Sequence, residues 1–301
     1  VSEPALQAAV MSWAALPGVA PFAEFGFMQR ALVGCLALSV SAAPVGVFLM
    51  LRRMSLTGDA MAHGILPGAA VGYLVSGLSV GAMTLGGLVA GLIVAIGSGL
   101  VARSTVMRED TSLAAFYLIS LALGVLIVSW KGSNLDLLHV LFGTVLALND
   151  AALLLMGTVS TLTLVGLAVL YRPLVLECLD PAFLRSVSRW SPVAHYGFLA
   201  MLVLNLVAGF HALGTLMAVG FLVLPAAAAR FWVREITSLL VLSCGFAFGA
   251  SVAGLLLSYH ADLPTGPAIV LCLGALYLAS LVVGRQGLLG SRFPVHRHFK
   301  A

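Results

Sequence analysis

About nine stretches of some twenty apolar residues recur along this chain, the length a helix needs to cross a ~30 Å hydrocarbon core. They fall near 28–51, 58–77, 80–102, 111–129, 151–171, 193–209, 213–229, 236–259 and 264–284 of the 301 residues. Inside a bilayer every backbone N–H and C=O must be satisfied by the chain itself, and no pattern of alternating strands is present. The fold class expected is therefore all-α: a polytopic transmembrane helix bundle with about eight or nine spans. Composition narrows what such a chain can do. With 61% hydrophobic and 9% charged residues, against roughly 25% charged in a soluble domain, it is no cytosolic enzyme, nucleic-acid binder or disulfide-stapled secreted domain. Cys35, Cys178, Cys244 and Cys272 stand singly, with no C-x-x-C spacing, and read as small packing residues.

Basic residues set the orientation. If nine spans alternate, Arg52, Arg53, Arg103, Arg108, Arg172, Arg185, Arg189, Arg230, Arg234, Arg285, Arg292, Arg297 and Lys300 share one side, and Arg30 and Lys131 take the other. Positive charge marks the cytoplasm, so the N-terminus is expected outside and the C-terminus inside. The apolar stretch 135–148 is too short to span, rising only about 21 Å, and counting it as a crossing would move Arg172, Arg185 and Arg189 outside. It is expected to be a short re-entrant helix on the external face. Residues 1–27, with Trp13, Phe22, Phe25 and Phe27, read as an N-terminal interfacial segment, 28–284 as the membrane domain and 285–301 as a basic cytoplasmic tail.

Small residues every four positions, Ala60, Gly64, Gly68 and Gly72 in the second span and Gly87, Gly91, Ala95 and Gly99 in the third, allow close helix packing, within the chain or between subunits. Ionisable side chains keep to span ends, with one exception. Asp59 and His63 lie four apart in Leu56-Thr57-Gly58-Asp59-Ala60-Met61-Ala62-His63, so one helix face offers a carboxylate and an imidazole together. That donor set suits a borderline divalent cation. Pro67, lacking an N–H, also releases the His63 carbonyl from its i to i+4 bond. The alternative is that Asp59 is an N-cap and His63 a packing residue.

The run Pro44-Val45-Gly46-Val47-Phe48-Leu49-Met50-Leu51-Arg52-Arg53-Met54-Ser55 leading into that pair, and Gly64-Ile65-Leu66-Pro67-Gly68 after it, closely resemble the permease subunit of bacterial ABC importers for zinc, manganese and iron. Asp136-Leu137-Leu138-His139-Val140-Leu141-Phe142-Gly143, the stretch 214–230 with Gly220-Phe221-Leu222-Val223-Leu224-Pro225, and Asp262-Leu263-Pro264-Thr265-Gly266-Pro267 are similar to later family segments in the same order. The resemblance implies a homodimeric inner-membrane permease that is not itself an enzyme. It also implies a cytoplasmic ATPase dimer as partner, a periplasmic or extracellular metal-binding protein, and no permanently bound cofactor. It assigns Asp59 and His63 to the path of the transported ion, with zinc favoured over manganese and iron. Ala62 departs from it, standing where relatives often carry Ser.

Other residues are weaker candidates. His139, His211 and His260, with Asp262, would form an external relay handing a cation inward, or else are ordinary surface polarity. Asp180-Pro181-Ala182-Phe183-Leu184-Arg185 has the signature of an N-cap with Pro at N1, and the loop holding it is a candidate coupling helix for the ATPase or a plain surface helix. Glu109 and Asp110 read as first-turn acids favoured by the helix dipole. With no G-x-x-x-x-G-K-[ST] in the chain, ATP must be bound by another subunit. The rival reading is a proton-coupled secondary divalent-cation transporter built on the same Asp59 and His63.

Overall fold

A computed structural model describes residues 20–77, 79–130, 148–180, 183, 184, 186, 188 and 190–288. Among them the chain is entirely helical: α1 (Ala20–Glu24), α2 (Gly26–Leu51), α3 (Thr57–Gly64), α4 (Leu66–Ser76), α5 (Val80–Ser104), α6 (Glu109–Trp130), α7 (Asp150–Leu179), α8 (Trp190–Leu213), α9 (Thr215–Arg230), α10 (Ile236–Ala261) and α11 (Thr265–Val283). Seven of these are long and apolar enough to cross a membrane: α2, α5, α6, α7, α8, α10 and α11. An eighth apolar helix, α9, has 16 residues. The expected re-entrant segment 135–148 lies outside the described residues apart from Leu148.

The second expected span is broken. Pro67 cannot continue the ladder, so α3 ends at Gly64 and α4 starts at Leu66, with Ile65 between them. The break is repaired from outside: Ser120 on α6 donates its hydroxyl to the Gly64 carbonyl at 2.8 Å, as membrane helices require of any freed backbone group. Ser120 lies about 16 Å along α6 from its start at Glu109, so the turn containing His63 packs against the middle of that helix and not its end.

Two helices form the centre. The apolar windows of α2 and α8 are 72% and 67% buried, against 22% for α6 and 28% for α7 and α11, which face outward. Around α2 pack α7, α9 and α10; α8 packs on α5 and α7; and α9 is sandwiched against α2, α10 and α11. Phe48, Phe198, Phe221, Leu202 and Leu206 fill the middle. Short polar bonds tie helices together, as expected where lipid offers no hydrophobic drive: Asn205 donates to Thr163 at 2.8 Å, Ser160 to the Ala37 carbonyl at 3.0 Å, and Ser112 to the Ser98 carbonyl at 2.9 Å.

The small-residue stripes serve packing within the chain. Gly68 and Gly86 face each other so closely that a Cβ on either would run into the other's carbonyl, and α4 lies against α5 along this seam. Gly87 and Gly91 accept the Ile65 side chain, and Gly91 also meets Val203 of α8.

One boundary differs materially from expectation. The span expected to end at 171, before Pro173, continues as helix to Leu179. Pro173 lies inside α7, and the extra turns are held because Leu174 and Glu177 are buried against the bundle. The loop expected over 172–190 therefore shrinks to 180–189. At the opposite end Arg30 pairs with Asp150 at 3.3 Å, joining the starts of α2 and α7, and Phe25 packs on Tyr259 of α10 with ring centroids 5.7 Å apart.

Candidate functional site

Asp59 and His63 stand one turn apart on α3, with His63 Nε2 3.8 Å from Asp59 Oδ1. The cap position is taken by Leu56, which makes no side-chain cap bond, so Asp59 belongs to the first helical turn and does not serve as the N-cap. The helix dipole favours a carboxylate there. The His63 carbonyl is not left wholly open by Pro67, since the Ile65 N–H turns toward both it and the Met61 carbonyl. What distinguishes the pair is exposure: 65% of the Asp59 side chain and 36% of His63 are uncovered. They open onto a groove of about 500 Å³ whose far wall is α9, through Thr215, Leu216, Val219 and Val223. Apart from the pair the groove is largely apolar, and Leu56 and Leu216 at its rim are exposed. A carboxylate facing hydrocarbon is costly, so this face is one that protein or water must cover.

Among the described residues no group of three or more His, Cys, Asp or Glu side chains could hold a metal ion. Two such side chains meet at this groove, against the roughly four ligands a transition metal takes.

Of the other candidates, His260 and Asp262 are described, and neither joins the pair. His260, in the last turn of α10, is exposed and its Nδ1 is tied to its own helix through the Leu256 carbonyl at 2.8 Å. Asp262 follows as the C-cap in the left-handed region, φ 49°. His211 lies in the last turn of α8; its side chain, and all of His139, fall outside the described residues.

At the loop end of the bundle, Asp180 Oδ1 accepts from the Phe183 N–H at 2.9 Å, the bond an N-cap makes. Phe183 is exposed, whereas Leu184 is turned inward and buried. Of the two apolar residues, Phe183 is therefore the one left uncovered, and Leu184 anchors the turn. Arg185 lies outside the described residues.

Sequence reasoning missed a buried ionic cluster at this same end. Arg52, the C-cap of α2, donates from Nη2 to His195 Nδ1 at 2.7 Å and lies 3.8 Å from Glu177 Oε1. Arg103 of α5 approaches the same Glu177 oxygen at 3.8 Å, and His195 Nε2 lies 3.3 Å from Glu109 Oε1 of α6. Because an arginine can only donate, His195 Nδ1 is the acceptor, which leaves any ring proton on Nε2 facing Glu109. The two guanidiniums also sit over rings of α8, Arg52 over Phe198 at 5.0 Å and Arg103 over Tyr196 at 5.3 Å. A signal was present in the sequence: Glu177 interrupts Leu174-Val175-Leu176 and Cys178-Leu179, an acid set among apolar neighbours.

Residues 77–81 spell G-x-S-x-G, the letters of a hydrolase nucleophile elbow. That elbow needs a strand-to-helix turn. Here the letters join two helices, with Gly77 as the C-cap of α4 and Ser79 as the N-cap of α5, so no nucleophile is indicated.

Comparison with known proteins adds the family. The family model described as "ABC 3 transport family" matches residues 24–284. The chain is 32% identical over 260 residues to the manganese import system permease protein ScaB of Streptococcus parasanguinis, covering 86% of this chain and 91% of that protein. It is 29% identical over 262 residues to the chelated iron transport system membrane protein YfeD of Yersinia pestis, covering 87% and 86%. Among solved structures, PsaBC from Streptococcus pneumoniae in complex with Fab superposes with a TM-score of 0.79 at 29% identity, covering 92% of this chain and 99% of that one. A bundle of helices long and apolar enough to cross a membrane, matched over residues 24–284 by one family model and over 86% of its length by a permease protein, leaves a single assignment: the chain belongs to the ABC 3 transport family, as a multi-pass membrane permease that does no catalysis of its own.

Proposed function

We propose that the chain is the permease of an ATP-driven importer that carries manganese or ferrous iron across the bacterial inner membrane, with Asp59 and His63 as its ion-binding pair. The observation that carries this is the exposed pair, beside the helix break at Ile65, in a groove that one chain leaves uncovered. A second copy across a two-fold axis beside α3 and α9 would close the groove and bring a second carboxylate and imidazole. Two carboxylates neutralise a dication, and two imidazoles complete about four ligands. Release requires the site to open again, so affinity is modest and depends on conformation. The donor set suits zinc, manganese and iron alike; the relatives' names weigh toward manganese and iron and supply no support for zinc. The clustered arginines mark the cytoplasmic end, where the 180–189 loop meets an ATPase dimer, and the Arg30–Asp150 end faces the external metal-binding protein.

The test is uptake of manganese into vesicles holding the permease with its ATPase subunits. ATP-dependent uptake, competed by ferrous iron more strongly than by zinc, is the expected result. Uptake that needs no ATPase and follows a pH gradient would establish the proton-coupled carrier instead. Within the same assay, Phe183→Ser is expected to leave ATP hydrolysis running while uptake per ATP falls at least about tenfold, because the exposed ring is the part of the loop a partner cleft can grip. Unchanged uptake per ATP would move the contact to another loop.

A further inference from the structure

The buried ionic cluster joins five helices at the loop end of the bundle, and its members sit at telling places in the chain. Glu177 lies three residues before Asp180, at the start of the 180–189 loop, while Ser191, which approaches Glu177 Oε2 at 3.4 Å, and His195 follow that loop directly. Arg52 ends α2 and is linked to α3 by a short connection, with Arg53 in the left-handed region at φ 59°. The loop is thus wired from both of its ends, through Glu177 and His195, to the arginine that precedes the Asp59 helix. Charge within the cluster balances, with Arg52 and Arg103 against Glu177 and Glu109, so it needs no bound ion.

The cluster is nevertheless incompletely satisfied. The Arg52 side chain is 7% exposed and Glu177 2%, yet Arg52 Nη1 and Arg103 Nε are buried without a hydrogen-bond partner, and Arg103 Nη2 has only its 3.8 Å ion pair with Glu177. A buried network that leaves donors unpaired is poorer than an apolar core of the same shape. Room for a second arrangement exists: a cavity of about 600 Å³ borders Arg52, Glu109 and Glu177 and reaches Leu179 at the loop.

We propose that this cluster is the joint through which movement of the 180–189 loop reaches the Asp59–His63 helix, with Glu177 and Arg52 as positioning residues. The proposal rests on the transport reading only in that an ATPase moves the loop. In it the Glu177 carboxylate is shared by two arginines from α2 and α5 in this arrangement. A displaced loop withdraws Glu177, and Arg52 follows its partner or turns wholly to His195, rotating the α2–α3 corner.

The experiment uses the permease–ATPase complex in vesicles, with the four native cysteines replaced by alanine and Leu56→Cys as a reporter at the rim of the groove, where a thiol is reached when the seam between the two copies opens. ATP is expected to change the thiol-labelling rate of the Leu56→Cys reporter by at least about fivefold, the lower end of coupling between linked sites. Glu177→Gln should abolish that response while the complex stays assembled. The triple variant Arg52→Met, Arg103→Met and Glu177→Met separates mechanism from mere stability, since it removes the shared carboxylate together with both of its arginines and apolar replacement of a whole buried ionic group is often neutral or stabilising. It should give a stable complex that hydrolyses ATP without a labelling response. A wild-type response in Glu177→Gln, its return in the triple variant, or no response in the parent complex would each overturn the joint. A parent that responds to ATP but moves no manganese would refute the transport reading and leave the joint standing.

Discussion

Gly46→Ala is expected to be among the most damaging single-methyl changes in this protein. Gly46 lies toward the loop end of α2, where α9 crosses it, and a Cβ there would fall on the Leu222 carbonyl and its neighbouring backbone atoms. A side chain in the way could turn aside; a carbonyl in the middle of a helix can move only with its helix. Overpacking against side chains typically costs about 1–3 kcal/mol, and displacing a backbone places this variant at or above roughly 3 kcal/mol on the same scale. Because α9 is also the far wall of the groove, uptake should fall with stability. Thermal denaturation of the detergent-solubilised protein checks the first part and vesicle uptake the second. Gly245→Ala is the control: among the described residues nothing lies within 4 Å of a Cβ built there, and alanine in a helix is favoured over glycine by about 0.5–1 kcal/mol. A Gly46→Ala protein as stable as Gly245→Ala would mean that α2 and α9 do not cross in the manner described.

Removing either member of the Asp59–His63 pair should abolish uptake with little change in assembly. Loss of an outer-shell partner typically reduces metal affinity about 10–100-fold, and loss of a direct ligand, doubled by symmetry in a two-copy site, should exceed that. Assembly is spared because neither side chain is used in packing: both face the open groove. Asp59→Asn is the sharper probe, since it keeps the shape and one oxygen while removing the charge that neutralises a dication. Acid pH should act in the same direction, because imidazole and carboxylate must be deprotonated to bind metal. Size-exclusion chromatography and manganese uptake in the same preparation decide the matter. Uptake at the wild-type level in both Asp59→Ala and His63→Ala would remove the pair from the ion's path.

How far these features can be read from sequence depends on the range over which each is specified. The spans follow from local hydropathy, and the seam between α4 and α5 from the four-residue spacing of Gly64, Gly68 and Gly72. The pairing of Asp59 with His63 is likewise set by one helical turn. Pro67 announces the break, though not that Ser120, 56 positions from Gly64, repairs it. The end of α7 is misplaced by sequence reasoning because Arg172 closes the apolar run locally, whereas the helix continues through Pro173 with Leu174 and Glu177 buried against the bundle. The ionic cluster escapes for a different reason. Arg52 and His195 are 143 positions apart, and each charge in the cluster, taken alone, looks like an interfacial residue at a span end. A hydropathy window averages a single Glu177 away. Nothing local states that two arginines from other helices converge on it.

The shortness of α9 has an electrical consequence. Its 16 residues rise about 24 Å, some 6 Å less than a ~30 Å core. The helix is largely buried, so the deficit falls inside the protein along the wall of the groove and cannot be absorbed by lipid deformation alone. If water reaches both ends of this helix, at Gly214 and Arg230, the membrane potential drops over about 24 Å there instead of about 30 Å. A dication crossing beside it would move through the full voltage, worth about 4.6 kcal/mol per 100 mV for two charges, over that shorter path. On the proposed ion route the field would then be steepest along the groove wall that faces Asp59 and His63.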